Sequence, residues 1–208
     1  PKSFTGLMKD QLMILDVNVL LEYDMIAPTD LILQIEAHNS DGQAIISEAL
    51  ECGPSANICK VKGEGGIGQR VLIPMDRNFV CSYTARLQII RTQKDISSLG
   101  TVQRHLLPSE AVRCLMPSRY CHSDQLLSFV TSEFGDTTGG QRIATIRDWI
   151  FDKIEYVSGA SNSQTTAADT IIKRQGVCRD FAHILIALAR ASGIPARFVS
   201  VYAPYVIP

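Results

Sequence analysis

Alternating apolar and polar residues dominate the first half of the chain. Apolar side chains occupy every odd position from Met13 to Tyr23, and the same period of two recurs over Leu31–Ala37 and Phe79–Ile89. This period is typical of β-strands with one buried face. Shorter candidates complete a set of about six strands separated by turn signals: Gln43–Cys52, Asn57–Lys62 and Arg70–Pro74. The first half therefore predicts an antiparallel β-sandwich.

A glycine-rich segment in this half, Gly63–Gly68, fits the letters of the dinucleotide-binding fingerprint. That fingerprint requires a helix after the glycines, because the helix N-terminus holds the pyrophosphate. The residues that follow, Gln69–Pro74, instead predict a short strand ended by proline. The segment is therefore interpreted as a hairpin loop.

The hydrophobic period changes from two to that of a helix after Pro108. We expect one helix from Ser123, as its cap, to a stop at Gly135, and a second along the apolar stripe from Ile143 to Val157. An aromatic residue on such a stripe is usually a core residue, so Trp149 is assigned to packing. The boundary between the two halves is placed near Leu107.

The segment Arg174–His183 places one cysteine, Cys178, at a glycine break where a new helix begins. Before it, Thr166 and Asp169 form a capping-box pattern that starts a helix, which Gly176 is expected to stop. The unpaired N–H groups and the dipole of a helix N-terminus stabilise an anion, which favours a thiolate. Cys178 is therefore the candidate nucleophile.

The helix that Cys178 opens is expected to end at the glycine-proline signal Gly193–Pro195. Next, the segment Arg197–Tyr202 is rich in aromatic and β-branched residues, which favour a pleated surface, so a strand is predicted there. The order helix, nucleophile helix, strand would hold the thiol at the edge of a core.

The segment Thr165–Tyr205, with Gly-Val-Cys-Arg-Asp-Phe-Ala-His around Cys178, resembles the transglutaminase-like superfamily, a branch of the papain-fold cysteine enzymes often found in bacteria. Leu115–Cys121 is similar to the entry into that catalytic core, and upstream residues resemble the β-rich N-terminal domain of these bacterial proteins. The resemblance implies an α+β fold. Residues 1–107 would form a β-sandwich domain, and residues 108–208 a C-terminally truncated papain-like, transglutaminase-like core.

The resemblance also implies a Cys-His-Asp triad in which the cysteine attacks an amide carbonyl of a protein or peptide substrate. Only Cys178 can be assigned, and the histidine and aspartate are expected beyond Pro208, so this fragment is expected not to turn over substrate by itself. Hydrolysis through a thioester is favoured over transfer to an amine. Protein-glutamine cross-linking, a non-catalytic interaction module and a β-sandwich binding domain remain alternatives.

Other candidate residues surround the nucleophile. His183 lies five residues after Cys178, a rotation of about 140° on a helix, and is assigned to packing. Three alternatives are open for Arg179: it lowers the pKa of the thiol electrostatically, contacts solvent, or forms a salt bridge to another element. Asp180 is expected to complement the helix dipole. By analogy with papain-like enzymes, Gln164 is a candidate oxyanion-hole donor. His38, His105 and His122 have no ligand-like partner at short spacing, so neither a metal nor a cofactor is predicted.

Composition excludes several classes of function. The formal charge is −1, with Lys+Arg 20 against Asp+Glu 21 and no basic run, which speaks against a nucleic-acid partner. No apolar run approaches the roughly 18 residues of a membrane span, and Pro1–Gly6 lacks a signal-peptide pattern, so a cytoplasmic setting without membrane contact is expected. Six cysteines in a chain of this length do not predict a disulfide scaffold, and the six residues between Cys52 and Cys59, and between Cys114 and Cys121, are too many for Cys-x-x-Cys redox or zinc pairs. Cys52, Cys59 and Cys81 are interpreted as small hydrophobic residues.

Overall fold

The computed structural model describes residues 11–53, 58–75, 77–91 and 94–202. The chain divides into two compact units, residues 1–93 and residues 94–208, and each is described by itself. The first is built of antiparallel sheets and the second mainly of helices, so the fold is α+β. None of the helices in the described ranges is both long and apolar enough to cross a membrane.

Among its described residues the first unit contains six strands: β1 Gln11–Asp24, β2 Thr29–Leu33, β3 Gln43–Cys52, β4 Cys59–Lys62, β5 Gln69–Met75 and β6 Asn78–Arg91. They form two three-stranded antiparallel sheets, with strand orders β1-β6-β3 and β2-β5-β4. Each of the six predicted strands is present, although Asn57, the first residue predicted for the fourth, lies outside the described residues. The predicted hairpin loop is also confirmed: the Gly63 N–H donates to the Gly68 carbonyl at 2.9 Å, and the loop joins β4 to β5.

Residues at alternate strand positions form the core of the first unit. On β6, Tyr83 is fully buried and lies opposite Val19 of β1. Residues of both sheets share one buried cluster, made of Leu33, Val71, Ile73, Phe79 and Cys81. Burial of alternate side chains on facing sheets is the arrangement that the period of two predicts.

One strand is shorter than predicted. β2 ends at Leu33, where the backbone leaves the sheet. The alternation continues to Ala37 because the side chains of Ile35 and Ala37 still pack against the core. The Ala37 N–H donates to the Tyr83 hydroxyl at 2.7 Å instead of to a neighbouring strand. The hydrophobic period therefore extends beyond the hydrogen-bonded ladder.

The second unit contains five α-helices and two short strands among the described residues. The helices are α1 Ser109–Arg113, α2 Leu127–Phe134, α3 Gly139–Lys153, α4 Ala167–Lys173 and α5 Cys178–Ala191, and the strands β7 Glu155–Tyr156 and β8 Gln175–Gly176 pair in parallel. Helices α2 to α5 bury one shared core. Trp149 packs there as predicted, with its ring edge-to-face against Phe129 at 5.5 Å and Phe134 at 6.0 Å between centroids.

The structure differs from the expectations for the second unit in four places. The helix predicted along Ile143–Val157 ends at Lys153, because Glu155–Tyr156 form strand β7, which pairs with β8. The segment Ser123–Leu126 is a 3-10 helix and α2 begins only at Leu127, so Ser123 does not cap an α-helix. Helix α4 is ended by Arg174, whose backbone is left-handed with φ of 60°, and Gly176 lies in β8 instead. Residues 197–202 form no strand, because no described segment pairs with their backbone.

The two compact units meet between residues 93 and 94, and the domain boundary near Leu107 stays a prediction. The segment from Lys94 onward packs on the start of α3, where the Gly140 N–H donates to the Leu99 carbonyl at 2.8 Å. A Cβ on Gly140 would lie 1.8 Å from the Ile96 carbonyl oxygen, so only glycine permits this approach. The hydrophobic pattern alone does not report such backbone packing.

Candidate active site

Cys178 is the first residue of α5, and its side chain is exposed. The chain enters this helix from β8, which pairs with β7 through a hydrogen bond from the Val157 N–H to the Gly176 carbonyl at 3.0 Å. Val177, the N-cap residue, has an extended backbone. The predicted helix start at Cys178 is therefore confirmed, and a paired strand leads directly into it.

Asp180 closes the N-terminus of α5. Its carboxylate accepts the Val177 N–H at 2.8 Å, and the residue is only 1% exposed. The backbone N–H of an N-cap residue makes no bond to the helix backbone. Here the carboxylate of the third helical residue accepts that N–H, as in a capping box. Gly176 makes the arrangement possible, since a Cβ there would lie 2.9 Å from the Cβ of Asp180.

Arg179 ties the helix start to the loop between β7 and α4. One guanidinium nitrogen donates to the Asn162 carbonyl at 2.8 Å and to the Ser161 hydroxyl at 3.1 Å, and lies 3.4 Å from the second carboxylate oxygen of Asp180. Arg179 thus bonds to neutral groups of another element, while its ion pair is with Asp180 of its own helix and is not the expected salt bridge to another element. Its cationic group also compensates the buried carboxylate, so the negative charge beside the nucleophile is partly balanced.

Gln164 lies in that same loop. Its backbone N–H donates to the Asn162 side-chain oxygen at 2.8 Å, and the residue is exposed. Through Asn162 and Arg179, the loop that carries Gln164 is therefore attached to the helix that carries Cys178. The oxyanion-hole role of Gln164 stays a prediction.

His183 is a packing residue, as its position on the helix predicts. It is 8% exposed, and its ring stacks on that of Tyr120 at 5.0 Å and 7° and lies 5.8 Å from that of Phe198. Its Nδ1 atom is buried and has no hydrogen-bond partner among the described residues. Burial, followed by the nearby Arg179 charge, lowers the pKa of His183, so the ring is held in its neutral form.

The other three histidines give no sign of a shared site. His38 lies between β2 and β3 of the first unit, His105 in a 3-10 turn, and His122 directly before the 3-10 helix at 123–126. Within the described ranges, no group of three or more histidine, cysteine or acidic side chains is arranged to hold a metal ion.

The sequence pattern did not reveal the role of Tyr120. Besides stacking on His183, its hydroxyl donates to the Ser163 carbonyl at 2.9 Å and its carbonyl accepts the Ala167 N–H at 2.8 Å. Tyr120 therefore links the loop, the start of α4 and α5. The only sequence signal was the similarity of Leu115–Cys121 to the entry of a catalytic core.

Cys121, next to Tyr120, is buried, whereas Cys178 is exposed. Cys121 is 3% exposed, its thiol donates to the His183 carbonyl at 3.5 Å, and burial raises its pKa. A buried thiol of this kind is a structural group, because the thiolate is disfavoured there. Of the two cysteines that contact or begin α5, only Cys178 offers its sulfur to solvent.

Two family models match this chain, one over its first half and one over its second. Residues 13–109 match the bacterial transglutaminase N-terminal domain, and residues 128–206 match the transglutaminase-like superfamily. A crystal structure of a candidate cysteine protease from Cytophaga hutchinsonii superposes with a TM-score of 0.81 at 35% sequence identity. That alignment covers 89% of this chain and 65% of the Cytophaga chain.

Curated relatives match over a shorter segment. An uncharacterized protein of Mycobacterium leprae is 37% identical over 54 residues, and one of Mycobacterium tuberculosis is 40% identical over 53 residues. Each match covers 26% of this chain, and 19% and 17% of the two relatives. This chain therefore spans only part of the structural neighbour, and its alignment to each curated relative is shorter still.

Proposed function

Because the chain belongs to the transglutaminase-like superfamily, we propose that it is a cysteine enzyme whose nucleophile is Cys178 and whose reaction is cleavage of an amide bond. The observation that carries the proposal is the exposed thiol of Cys178 at the first residue of α5. Asp180 and Arg179 hold that helix start in place from the inside. A rigidly held thiol at a helix N-terminus is suited to nucleophilic attack.

The proposed reaction passes through a thioester. The Cys178 sulfur adds to the carbonyl carbon of a protein or peptide substrate, the C–N bond breaks, and the amine leaves with a proton. Water then attacks the thioester carbonyl, which releases the carboxylic acid and restores the thiol. Gln164 is proposed to donate a hydrogen bond to the developing oxyanion.

We propose that the general base is a histidine outside the described residues, oriented by an aspartate. His183 is unsuited to this role, since its ring is enclosed between Tyr120 and Phe198. The test of the nucleophile therefore measures the reactivity of the thiol and does not depend on turnover. A cytoplasmic location stays a prediction from the sequence.

Cleavage by water is preferred to transfer onto an amine because the Cytophaga neighbour is described as a candidate cysteine protease. Transfer remains the second candidate, since the first unit matches an N-terminal domain described as belonging to bacterial transglutaminases. A glutamine-containing peptide, supplied to the full-length protein with and without a primary amine, separates the two. Release of ammonia or of a shorter peptide, without incorporation of the amine, supports hydrolysis, and incorporation of the amine supports transfer.

Alkylation tests the nucleophile directly. Cys178 and Cys59 are both exposed, but Cys59 begins strand β4 and Cys178 begins a helix. We expect iodoacetamide near pH 6 to modify Cys178 at least about tenfold faster than Cys59, because Cys178 lies at a helix N-terminus and Cys59 lies in a strand. Peptide mass spectrometry over time gives both rates in one sample. Equal, slow modification of the two would reject the activated nucleophile and favour a non-catalytic interaction module.

A further inference from the structure

Two cysteines of the first unit face each other across adjacent strands. Cys52 of β3 lies directly opposite Cys81 of β6 in the antiparallel register, and their sulfur atoms are 3.4 Å apart. The Gly53 N–H donates to the Val80 carbonyl at 2.9 Å, immediately beside the pair. This pattern identifies Cys52 and Cys81 as a non-hydrogen-bonded pair, in which the Cα atoms are about 4.5 Å apart. That separation lies within the range of disulfides, about 4.4–6.8 Å.

We propose that Cys52 and Cys81 form an intramolecular disulfide when the chain meets a small disulfide oxidant such as oxidised glutathione. The Cys52 thiolate attacks one sulfur of the oxidant, whose S–S bond breaks, and the first small thiolate leaves and takes up the proton that Cys52 lost. The Cys81 sulfur then attacks the Cys52 sulfur of this mixed disulfide and expels the second thiol, which takes up the Cys81 proton. Two protein thiols and one small disulfide thus give one protein disulfide and two small thiols.

The order of the two steps follows from the surroundings of each sulfur. Cys52 is half-buried and open to an oxidant, whereas Cys81 is 1% exposed. Burial raises the pKa of Cys81 to about 12, and the hydrogen bond and charge of Cys52 and the carboxylate of Glu36 act in the same direction. Cys81 is therefore poorly suited to react with a dissolved oxidant. Once Cys52 carries the mixed disulfide, the sulfur of Cys81 is already beside it.

The bond would join an edge strand to a central one. β3 lies at the edge of its sheet and β6 in the middle, and the closed segment between the two cysteines contains β4 and β5 of the other sheet. A single disulfide would thus restrain strands of both sheets. Cys59, the remaining cysteine of this unit, lies opposite Leu72 and has no thiol across its own pair.

The test is incubation of the full chain with oxidised glutathione, followed by denaturation, alkylation of the remaining thiols and peptide mass spectrometry. We expect a cross-linked peptide pair containing Cys52 and Cys81, without glutathione, and the loss of both from the alkylated set. Cys59→Ser should leave this product unchanged. Cys52→Ser, at the edge strand, should abolish it and leave Cys81 alkylated after denaturation.

Two results would overturn the proposal. One is a glutathione adduct that persists on Cys52 of the wild-type chain while Cys81 stays free. The other is alkylation of both cysteines after prolonged treatment, which would mean that the pair does not react at all. Neither result depends on Cys178 or on catalysis, so the proposed enzyme function is tested separately.

Discussion

Gly176→Ala is the substitution that most directly tests how the nucleophile is held. A Cβ at this position would lie 2.9 Å from both the Cβ of Asp180 and the Cγ2 of Thr170. These carbon–carbon distances are about 0.6 Å shorter than the lower limit of a favourable contact, roughly 3.5 Å. Neither neighbour can move freely, because Asp180 is 1% exposed and bonded to Val177, and Thr170 is fully buried. The added methyl group must therefore displace the start of α5.

The magnitude follows from comparison with a second glycine. Forcing a methyl group into a packed site lowers the free energy of unfolding by about 1–3 kcal/mol. Replacing glycine also restricts the unfolded chain, which raises that free energy by about 0.4–1 kcal/mol. Gly100→Ala should show only the second effect, since a Cβ there meets nothing within 4 Å. We expect the free energy of unfolding of Gly176→Ala to be about 2 kcal/mol lower than that of Gly100→Ala.

Urea denaturation followed by tryptophan fluorescence measures this difference. Trp149 is the single tryptophan of the chain and lies on α3 in the second unit, so its signal reports that unit. Thr170→Ser, which removes Cγ2 but keeps the hydroxyl bond to the Thr166 carbonyl, should recover part of the loss in the Gly176→Ala background. A difference between the two alanine variants below about 0.5 kcal/mol, the usual range of surface substitutions, would refute the packing argument.

Two further predictions concern the same helix. Asp180→Asn should lower the free energy of unfolding by about 1.5–3 kcal/mol, because it weakens a buried, charge-assisted hydrogen bond. Asp169 is the third residue of the less buried α4, so Asp169→Asn should lower that free energy by under about 1 kcal/mol. Equal losses of the two variants in denaturation would contradict the role of burial. His183 has a folded-state pKa below its ordinary 6.5, so the unfolded chain binds more protons. Stability should therefore fall as the pH drops below 6.5 and stay level above it; His183→Phe should flatten that slope, and an unchanged slope would contradict the assignment.

Short-range patterns were sufficient for most of the fold. The period of two located three strands, turn signals delimited the three shorter ones, and Thr166 with Asp169 form the predicted capping box. These signals work because a strand face and a helix start are each set by residues only a few positions apart. The predicted strand at 197–202 shows the limit, since a strand also needs a neighbour to pair with.

The candidate site was predictable only in part for the same physical reason. Cys178 could be placed because a helix start is a local feature. The contacts that hold it are not local: Arg179 bonds to Asn162, 17 positions earlier, and the ring of Tyr120 stacks on that of His183 from a separate segment. Asp180 was expected to complement the helix dipole, and its buried bond to Val177 depends on the space left by Gly176.

The inward cap at Asp180 also bears on how this protein could be engineered. Most helices begin at a polar N-cap residue whose identity is constrained by its bond to the backbone. Here the side chain that bonds to the backbone at the helix start is that of Asp180. The side chain of Val177, directly before the nucleophile, does not hold the helix start. Position 177 is thus the place where a library could vary the surroundings of the thiol at least cost to folding, while positions 176 and 180 must be kept.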